Sequence, residues 1–349
     1  MDRVLRVVVV DDSAYVRKVV REILSRSPFI EVVGTARDGR EALDLVEQLD
    51  PDVVTCDLIM PELDGVGFVR EQMKRRPVPI IIMSVAKETA EAALTALDAG
   101  AIDFVQKPTA LASEKIFEVS TELIEKVKAA GQISLNRLPK AVEPPAMPAV
   151  DRATKVNGSH AVDLVAIGIS TGGPQALKRL IPELPPDFPV PVVMVMHMPI
   201  GYTEMYAAKL NEMSQVEVRE AGEGDELKPG RVFLAPAGRH LFLKREANGK
   251  IVTHLDARPF NTLHKPSVDV MFQSAAEVYG NRVLGIVMTG MGSDGRQGAA
   301  WIKAQGGLVF TEAESSCVVY GMPSVVKEAG LSDKSVALDH MAHAIREVV

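Results

Sequence analysis

The chain has 349 residues, room for two domains of ordinary size, and its composition (47% hydrophobic, 24% charged) is that of a soluble globular protein. A net charge of −7 speaks against a nucleic-acid-binding surface, and two isolated cysteines, Cys56 and Cys317, exclude a disulfide framework or a zinc site and suit a reducing cytoplasm. No apolar run approaches the ~20 residues needed to cross a bilayer, and the N-terminal run ends in two aspartates with no cleavage pattern, so neither membrane insertion nor a signal peptide is expected.

Strand and helix patterns alternate from the start. Leu5–Val10 is a β-branched run followed by the helical pattern SAYVRKVVREILSRS. IEVVGTA, GREALDLVEQL, PDVVTCD, a helix around Val66–Lys74, VPIIIMS, a helix around Thr89–Ala99 and the short strand AIDFVQK come next. A helix over Ser113–Ala130 closes the series. Five strands alternating with five helices predict a parallel, doubly wound α/β domain over residues 1–130. Residues 131–159 are proline-rich without a sustained period and are expected to form a linker. A second α/β domain, mostly parallel, is expected over 160–349. Its strands are predicted at 163–169, 190–196, 231–236, 282–289 and 307–311, and its helices near 174–182, 202–213, 266–279, 295–305, 322–329 and 339–348. Two short runs around Ala247-Asn248-Gly249 predict an antiparallel β-hairpin.

Ligands of parallel α/β sheets bind at the carboxyl edge of the strands. In the first domain that edge gathers Asp11 and Asp12 after the first strand, Asp57 at the end of the third, Ser84 at the end of the fourth, and Lys107 after the fifth, before Pro108. Clustered carboxylates need a cation, and a hard oxygen-liganded ion such as Mg²⁺ suits them and a phosphoryl group. Any one of these residues alone could be a turn or cap residue; together they form a site. The motifs VVDDSAYVRK, CDLIMPELDG, MSVA and DFVQKP resemble those of response-regulator receiver domains over Leu5–Ala129. That resemblance implies a flavodoxin-like fold and phosphorylation of Asp57. It implies Mg²⁺ held by Asp12, Asp57 and the carbonyl of Ile59, with Asp11 acting through water. It further implies Lys107 on the phosphoryl group, a switch pair of Ser84 and Phe104, and a cis Lys107–Pro108 bond.

At the same edge of the second domain, Ser170 follows the first strand within Gly168-Ile-Ser-Thr-Gly172, a G-x-S-x-G pattern. The stretch allows a nucleophile, a phosphate-binding loop or a plain turn. A dinucleotide site would want an acid at the end of the second strand, where His197, Met198 and Pro199 stand, and a Walker lysine is missing after Gly172-Gly173. Asp294 lies in the turn MGSDG after the strand RVLGIVMTG. Serine needs a base to become a nucleophile, histidine titrates in the right range, and a carboxylate on its other nitrogen fixes the tautomer. Backbone N–H groups near Met291 and at the start of the helix after Ser170 could bind an oxyanion. The order Ser, His, Asp differs from that of α/β-hydrolases, so the pattern does not assign that fold.

GISTGGPQAL, VMHMPIGYT, LAPAGRHL, HKPSVDVMFQSAA and GIVMTGMGSDGRQG resemble the catalytic domain of chemotaxis protein-glutamate methylesterases, over nearly all of Val162–Val349. The resemblance implies Ser170 as nucleophile, His197 as base and Asp294 as its orienting acid. Met291 would line the oxyanion site and Thr171 would neighbour the nucleophile. Met196 departs from that family's usual glutamine before the histidine, which puts the polar lining near His197 in question. The implied function is a phosphorylation-activated cytoplasmic serine hydrolase without a cofactor for the ester reaction. It would demethylate glutamate methyl esters and deamidate glutamines on chemoreceptor helices, taking its phosphoryl group from a chemotaxis histidine kinase. A phospho-switched receptor-binding regulator without esterase activity is the alternative, and a receiver-coupled transcription factor finds no helix-turn-helix pattern after the linker.

Overall fold

The computed structural model describes residues 3–85, 89–107, 113–133, 162–259 and 261–349, and for 113–118 the backbone only. The chain divides into two compact units, Met1–Pro144 and Pro145–Val349. The expected linker lies outside the described residues except for Gly131–Ile133, a turn that closes the last helix of the first unit. The expected cis bond at Pro108 also lies outside them.

The first unit alternates strictly: β1 Leu5–Val10, α1 Ala14–Leu24, β2 Ile30–Ala36, α2 Gly39–Leu49, β3 Val53–Asp57, α3 Gly65–Arg75, β4 Ile80–Ser84, α4 Ala90–Asp98, β5 Asp103–Gln106 and α5 Ser113–Ala130. Its sheet runs β2-β1-β3-β4-β5, all parallel. Helices on both faces bury β3 and β4 completely, which is why these strands read as unbroken apolar runs. Side-chain caps start three helices: Ser13 accepts from the Val16 N–H, Asp38 from Arg40 and Glu41, and Asp64 from Gly67. The chain reverses direction across the sheet between β1 and β3, so Asp11 and Asp57 share the crevice at that switch point.

The second unit comprises β6 Leu164–Ile169, α6 Gly173–Leu180, β7 Val192–Met196, α7 Thr203–Glu212, β8 Glu217–Glu220, β9 Arg231–Leu234, β10 His240–Arg245, β11 Ile251–Asp256, α8 Val268–Tyr279, β12 Val283–Val287, α9 Arg296–Ala304, β13 Leu308–Glu312, α10 Met322–Glu328, β14 Lys334–Val336 and α11 Leu338–Arg346. Seven parallel strands run β14-β13-β12-β6-β7-β9-β8. The first strand, β6, is central. Its neighbours β7 and β12 lie to either side, so this switch point gathers the loops after all three strands.

Strands β10 and β11 form the expected hairpin as a separate antiparallel sheet. Its loop closes with Glu246 N–H on the Lys250 carbonyl and Gly249 in the left-handed region, φ 84°. The hairpin packs on α8, where Ser274 Oγ accepts the Leu243 N–H at 2.7 Å and donates to the Leu243 carbonyl at 3.1 Å. Leu241 and Leu243 join Met271, Phe272 and Ala275 in the core beneath. Burying Phe272 completely contributes about 2–3 kcal/mol, and it fixes α8 against the sheet. Strands β8 and β14 were not anticipated.

Candidate active site

Ser170, His197 and Asp294 come from three adjacent strand ends. Ile169 of β6 pairs with Met196 of β7, and the His197 N–H donates to the Ile169 carbonyl at 3.3 Å. On the other side, β12 pairs with β6, and the Ser170 N–H donates to the Thr289 carbonyl at 3.0 Å. The two glycines of the G-x-S-x-G pattern do different work. Gly172 takes φ 80°, a conformation that a side chain would strain, and turns the chain into α6. Gly168 lies in β6, and a Cβ there would meet Val268 at 2.2 Å. Its missing side chain is filled by the first residue of α8, so this glycine serves packing rather than the turn or a substrate.

His197 Nε2 lies 2.8 Å from Asp294 Oδ2. A carboxylate can only accept, so Nε2 carries the proton and the lone pair falls on Nδ1. Nδ1 is buried and has no hydrogen-bond partner among the described residues, so Ser170 is not yet joined to it. Such bonds commonly tighten only when substrate binds. The His264 ring stacks on that of His197, with centroids 3.9 Å apart and planes 22° apart.

Asp294 is held by more than the histidine. Oδ1 accepts from Ser267 Oγ (2.9 Å), the Asp269 N–H (2.9 Å) and the Gly295 N–H (3.1 Å), and Oδ2 also accepts from the Val268 N–H (2.7 Å). The Val268 and Asp269 amides are the N-terminus of α8. Asp269, in the first turn of α8, reaches back to the start of α9: its Oδ1 accepts from Gly295 (2.9 Å) and Gly298 (2.7 Å). Asp294 therefore caps α8, the helix that carries Asp269, and Asp269 caps α9, the helix that follows Asp294. Burial works against the Asp294 charge, but the contact from His197 and the α8 amides outweigh it and hold its carboxyl well below the usual carboxylate range. Burial, with the Asp294 charge nearby, pushes the Asp269 carboxyl up. Behind them the fully buried His240 accepts the Ser267 N–H on Nδ1 and donates from Nε2 to the Pro259 carbonyl. Burial lowers its pKa, which suits a neutral ring with this tautomer.

Met291 follows Gly290, and a Cβ on Gly290 would stand 2.8 Å from that of Ser170. No described residue accepts a hydrogen bond from the Met291 N–H, which suits a donor kept for an oxyanion. Thr171 is buried, and its carbonyl accepts from Thr289 Oγ1 at 2.9 Å. Met196 is fully buried, its sulfur 3.2 Å from where a Cβ of Gly173 would lie, so it packs against the turn after Ser170. Beyond Asp294 a cleft of about 450 Å³ opens between His264, Asp269, Gln273, Gln297 and Trp301. His264, Ser267, Asp269, Thr289 and Glu312 are the site residues that sequence reasoning passed over. Ser267-x-Asp269 at a helix start carried the signal of a cap, and Glu312 at the end of an apolar strand carried the same signal as Asp57.

In the first unit, carboxylate oxygens of Asp11, Asp12 and Asp57 lie within 4.8 Å of one another. Lys107 Nζ stands 2.8 Å from Asp11 Oδ2 and 2.7 Å from Asp57 Oδ2. Burial pushes the Asp57 carboxyl up despite Lys107, while the two acids raise Lys107 against its own burial. Asp57 Oδ1 accepts the Leu58 N–H at 2.6 Å. Three hard carboxylates, one of them exposed, fit a Mg²⁺ ion that keeps part of its water. Ile59, two residues on, has an exposed side chain. Ser84 Oγ lies 2.6 Å from Thr89 Oγ1, and Phe104 is buried, its ring 5.9 Å from the Lys126 ammonium. Both cysteines are free and buried, and burial raises Cys56 well above the usual thiol range. Among the described residues no helix is long and apolar enough to cross a membrane.

Comparison with known proteins agrees with both halves. Residues 165–345 match the CheB methylesterase family and residues 7–118 the response regulator receiver domain. A protein-glutamate methylesterase/protein-glutamine glutaminase of Myxococcus xanthus is 50% identical over 99% of this chain and 98% of its own. One from Symbiobacterium thermophilum is 44% identical over 100% and 98%. The crystal structure of the Thermotoga maritima CheB methylesterase catalytic domain, 41% identical, aligns over 54% of this chain and all of its own with a TM-score of 0.53. The chain thus belongs to the CheB methylesterase family, in the form that carries an N-terminal response regulator receiver domain.

Proposed function

We propose that the protein hydrolyses γ-glutamyl methyl esters on chemoreceptor helices, releasing methanol, and deamidates glutamines there by the same route. The observation that carries this reading is the His197–Asp294 pair at the strand ends flanking Ser170, with one imidazole nitrogen saturated and the other open. Ser170 Oγ attacks the acyl carbon and gives its proton to His197 Nδ1. The imidazolium is stabilised by Asp294, and N–H groups around Met291 and Thr171 receive the oxyanion. Collapse expels methanol, or ammonia from an amide, which takes the proton from His197. Water then attacks the acyl-enzyme with His197 again as base, and the glutamate carboxylate leaves.

Asp57 is the phosphoryl acceptor in this reading. Asp12, Asp57 and the Ile59 carbonyl would hold Mg²⁺, Asp11 would act through water, and Lys107 would pair with the phosphoryl oxygens. Bound there, the ion neutralises charge on the incoming phosphoryl group. Ser84 and Phe104 form the switch pair, and a chemotaxis histidine kinase is the donor. The unphosphorylated receiver restrains the catalytic unit, so residues 162–349 alone should outpace the intact, unphosphorylated chain. The test is methanol release from methylated receptor membranes, with and without a small phosphodonor. S170A should be inactive in both conditions yet still take up phosphate. Undiminished methanol release by S170A would overturn the assignment.

A further inference from the structure

Glu312 is a fully buried acid to which the reaction assigns no role. It ends β13, and Oε2 accepts the Thr289 N–H at 2.9 Å while Oε1 accepts Ser316 Oγ at 2.9 Å. Ser316 Oγ in turn accepts the N–H of Leu338, the first residue of α11. Thr289 stands between this acid and the nucleophile. Its carbonyl accepts the Ser170 N–H at 3.0 Å, and its hydroxyl donates to the Thr171 carbonyl at 2.9 Å. The same hydroxyl accepts the Val319 N–H at 3.0 Å, and a Cβ on Gly172 would meet it at 3.3 Å. One residue therefore grips the peptides on both sides of the Ser170–Thr171 link, and the next residue but one is Met291. With its N–H, carbonyl and hydroxyl all engaged, Thr289 has no freedom of its own.

We infer that Glu312 is a positioning residue for the hydrolytic reaction: through Thr289 it fixes the nucleophile turn against the Met291 loop and so sets the distance between Ser170 and the oxyanion donors. The inference rests on the serine-hydrolase reading of the site. Its acceptor oxygens, not its charge, carry the function, because Thr289 offers a neutral amide. A glutamine places an oxygen where Oε2 stands and should serve. A methionine of similar length cannot accept and leaves the buried amide of Thr289 without a partner. Misplacement of catalytic groups by fractions of an ångström acts on turnover more than on substrate binding.

The experiment uses the full chain and two readouts at a temperature where every variant is folded by circular dichroism. One is methanol release from methylated receptor membranes. The other is the labelling rate of Ser170 by a fluorophosphonate, which needs no receptor, with S170A as the blank. E312M should lower kcat and the labelling rate about tenfold or more with KM within about twofold, and E312Q should restore both. Should E312M not fold, T289V, which removes the hydroxyl's links to the Thr171 carbonyl and the Val319 N–H but leaves the Glu312 contact to its backbone, should show the same split, with T289S restoring it. Labelling and kcat unchanged in E312M or T289V would overturn the inference, as would a loss confined to KM. A wild-type chain that takes no label at Ser170 would overturn the hydrolase reading itself, and this inference with it.

Discussion

Replacing Asp294 by asparagine changes one atom, and the hydrogen-bond map says where it hurts. Oδ2 faces two donors, His197 Nε2 and the Val268 N–H; Oδ1 faces three, Ser267 Oγ and the amides of Asp269 and Gly295. Asparagine has one acceptor oxygen. If its NH₂ takes the Oδ1 position, it meets two backbone N–H groups that cannot turn away. If it takes the Oδ2 position, it meets the Val268 N–H and forces His197 Nε2 to accept, which moves the ring proton to Nδ1 and removes the base. Because Gly295 keeps its bond to Asp269, each arrangement leaves one buried amide unpaired, that of Asp269 in the first and of Val268 in the second, a loss of about 1–3 kcal/mol of stability. The second, which opposes one fixed N–H rather than two, is the arrangement expected, and in it turnover falls about 10³–10⁴-fold, the range seen when an orienting aspartate is lost elsewhere, equivalent to about 4–5.5 kcal/mol at the barrier. The assay is kcat for methanol release by D294N at a temperature where its melting curve shows it folded. A folded D294N that kept more than about a tenth of wild-type turnover would refute the tautomer argument.

Asp269 gives a pH prediction. Its carboxyl is raised from 3.8 to about 6, so between about pH 4 and 6 the folded protein binds more protons than the unfolded chain and stability falls as pH rises. D269N keeps an oxygen for the Gly295 and Gly298 amides and should flatten that slope, gaining about 1 kcal/mol at pH 7.5 and nothing at pH 4.5 in urea titrations. An equal gain at both pH values would mean that ionisation of Asp269 is not the cause. In the receiver, K107M should abolish the rise in methanol release on adding phosphodonor, while the unphosphorylated rate stays unchanged. H264A should lower kcat several-fold and H264F should retain it, because the stack on His197 needs a flat ring rather than a second base; equal loss in both would assign His264 a polar role.

The parallel frame, and the meeting of Ser170, His197 and Asp294 at neighbouring strand ends, were legible because the signals are local and strong. Buried strands such as Val53–Asp57 read as apolar runs, and chemistry-bearing residues at their carboxyl ends converge by topology alone. The edge strands β8, EVRE, and β14, KSV, escaped notice because short, charged edges carry neither an apolar run nor clean alternation. Ser267, Asp269 and Glu312 escaped for a different reason. Each has an ordinary local role, and only the tertiary contact of α8 with α9, or of β13 with the loop after β12, makes it part of the site. The pattern Gly168-x-Ser170-x-Gly172 does not tell its two glycines apart, yet only the second turns the chain, and the first is a packing glycine whose partner, Val268, lies 100 residues away.

The exchange of caps between α8 and α9 also supplies a spectroscopic handle. The amide protons of Val268, Asp269, Gly295 and Gly298 all point at the Asp294 and Asp269 carboxylates, so their NMR shifts and hydrogen-exchange rates should follow the ionisation of those acids directly. Because the same carboxylate orients His197, fraying of either helix end would disarm the histidine without moving Ser170. Exchange at these four amides would therefore report the fraction of molecules competent for catalysis at any instant.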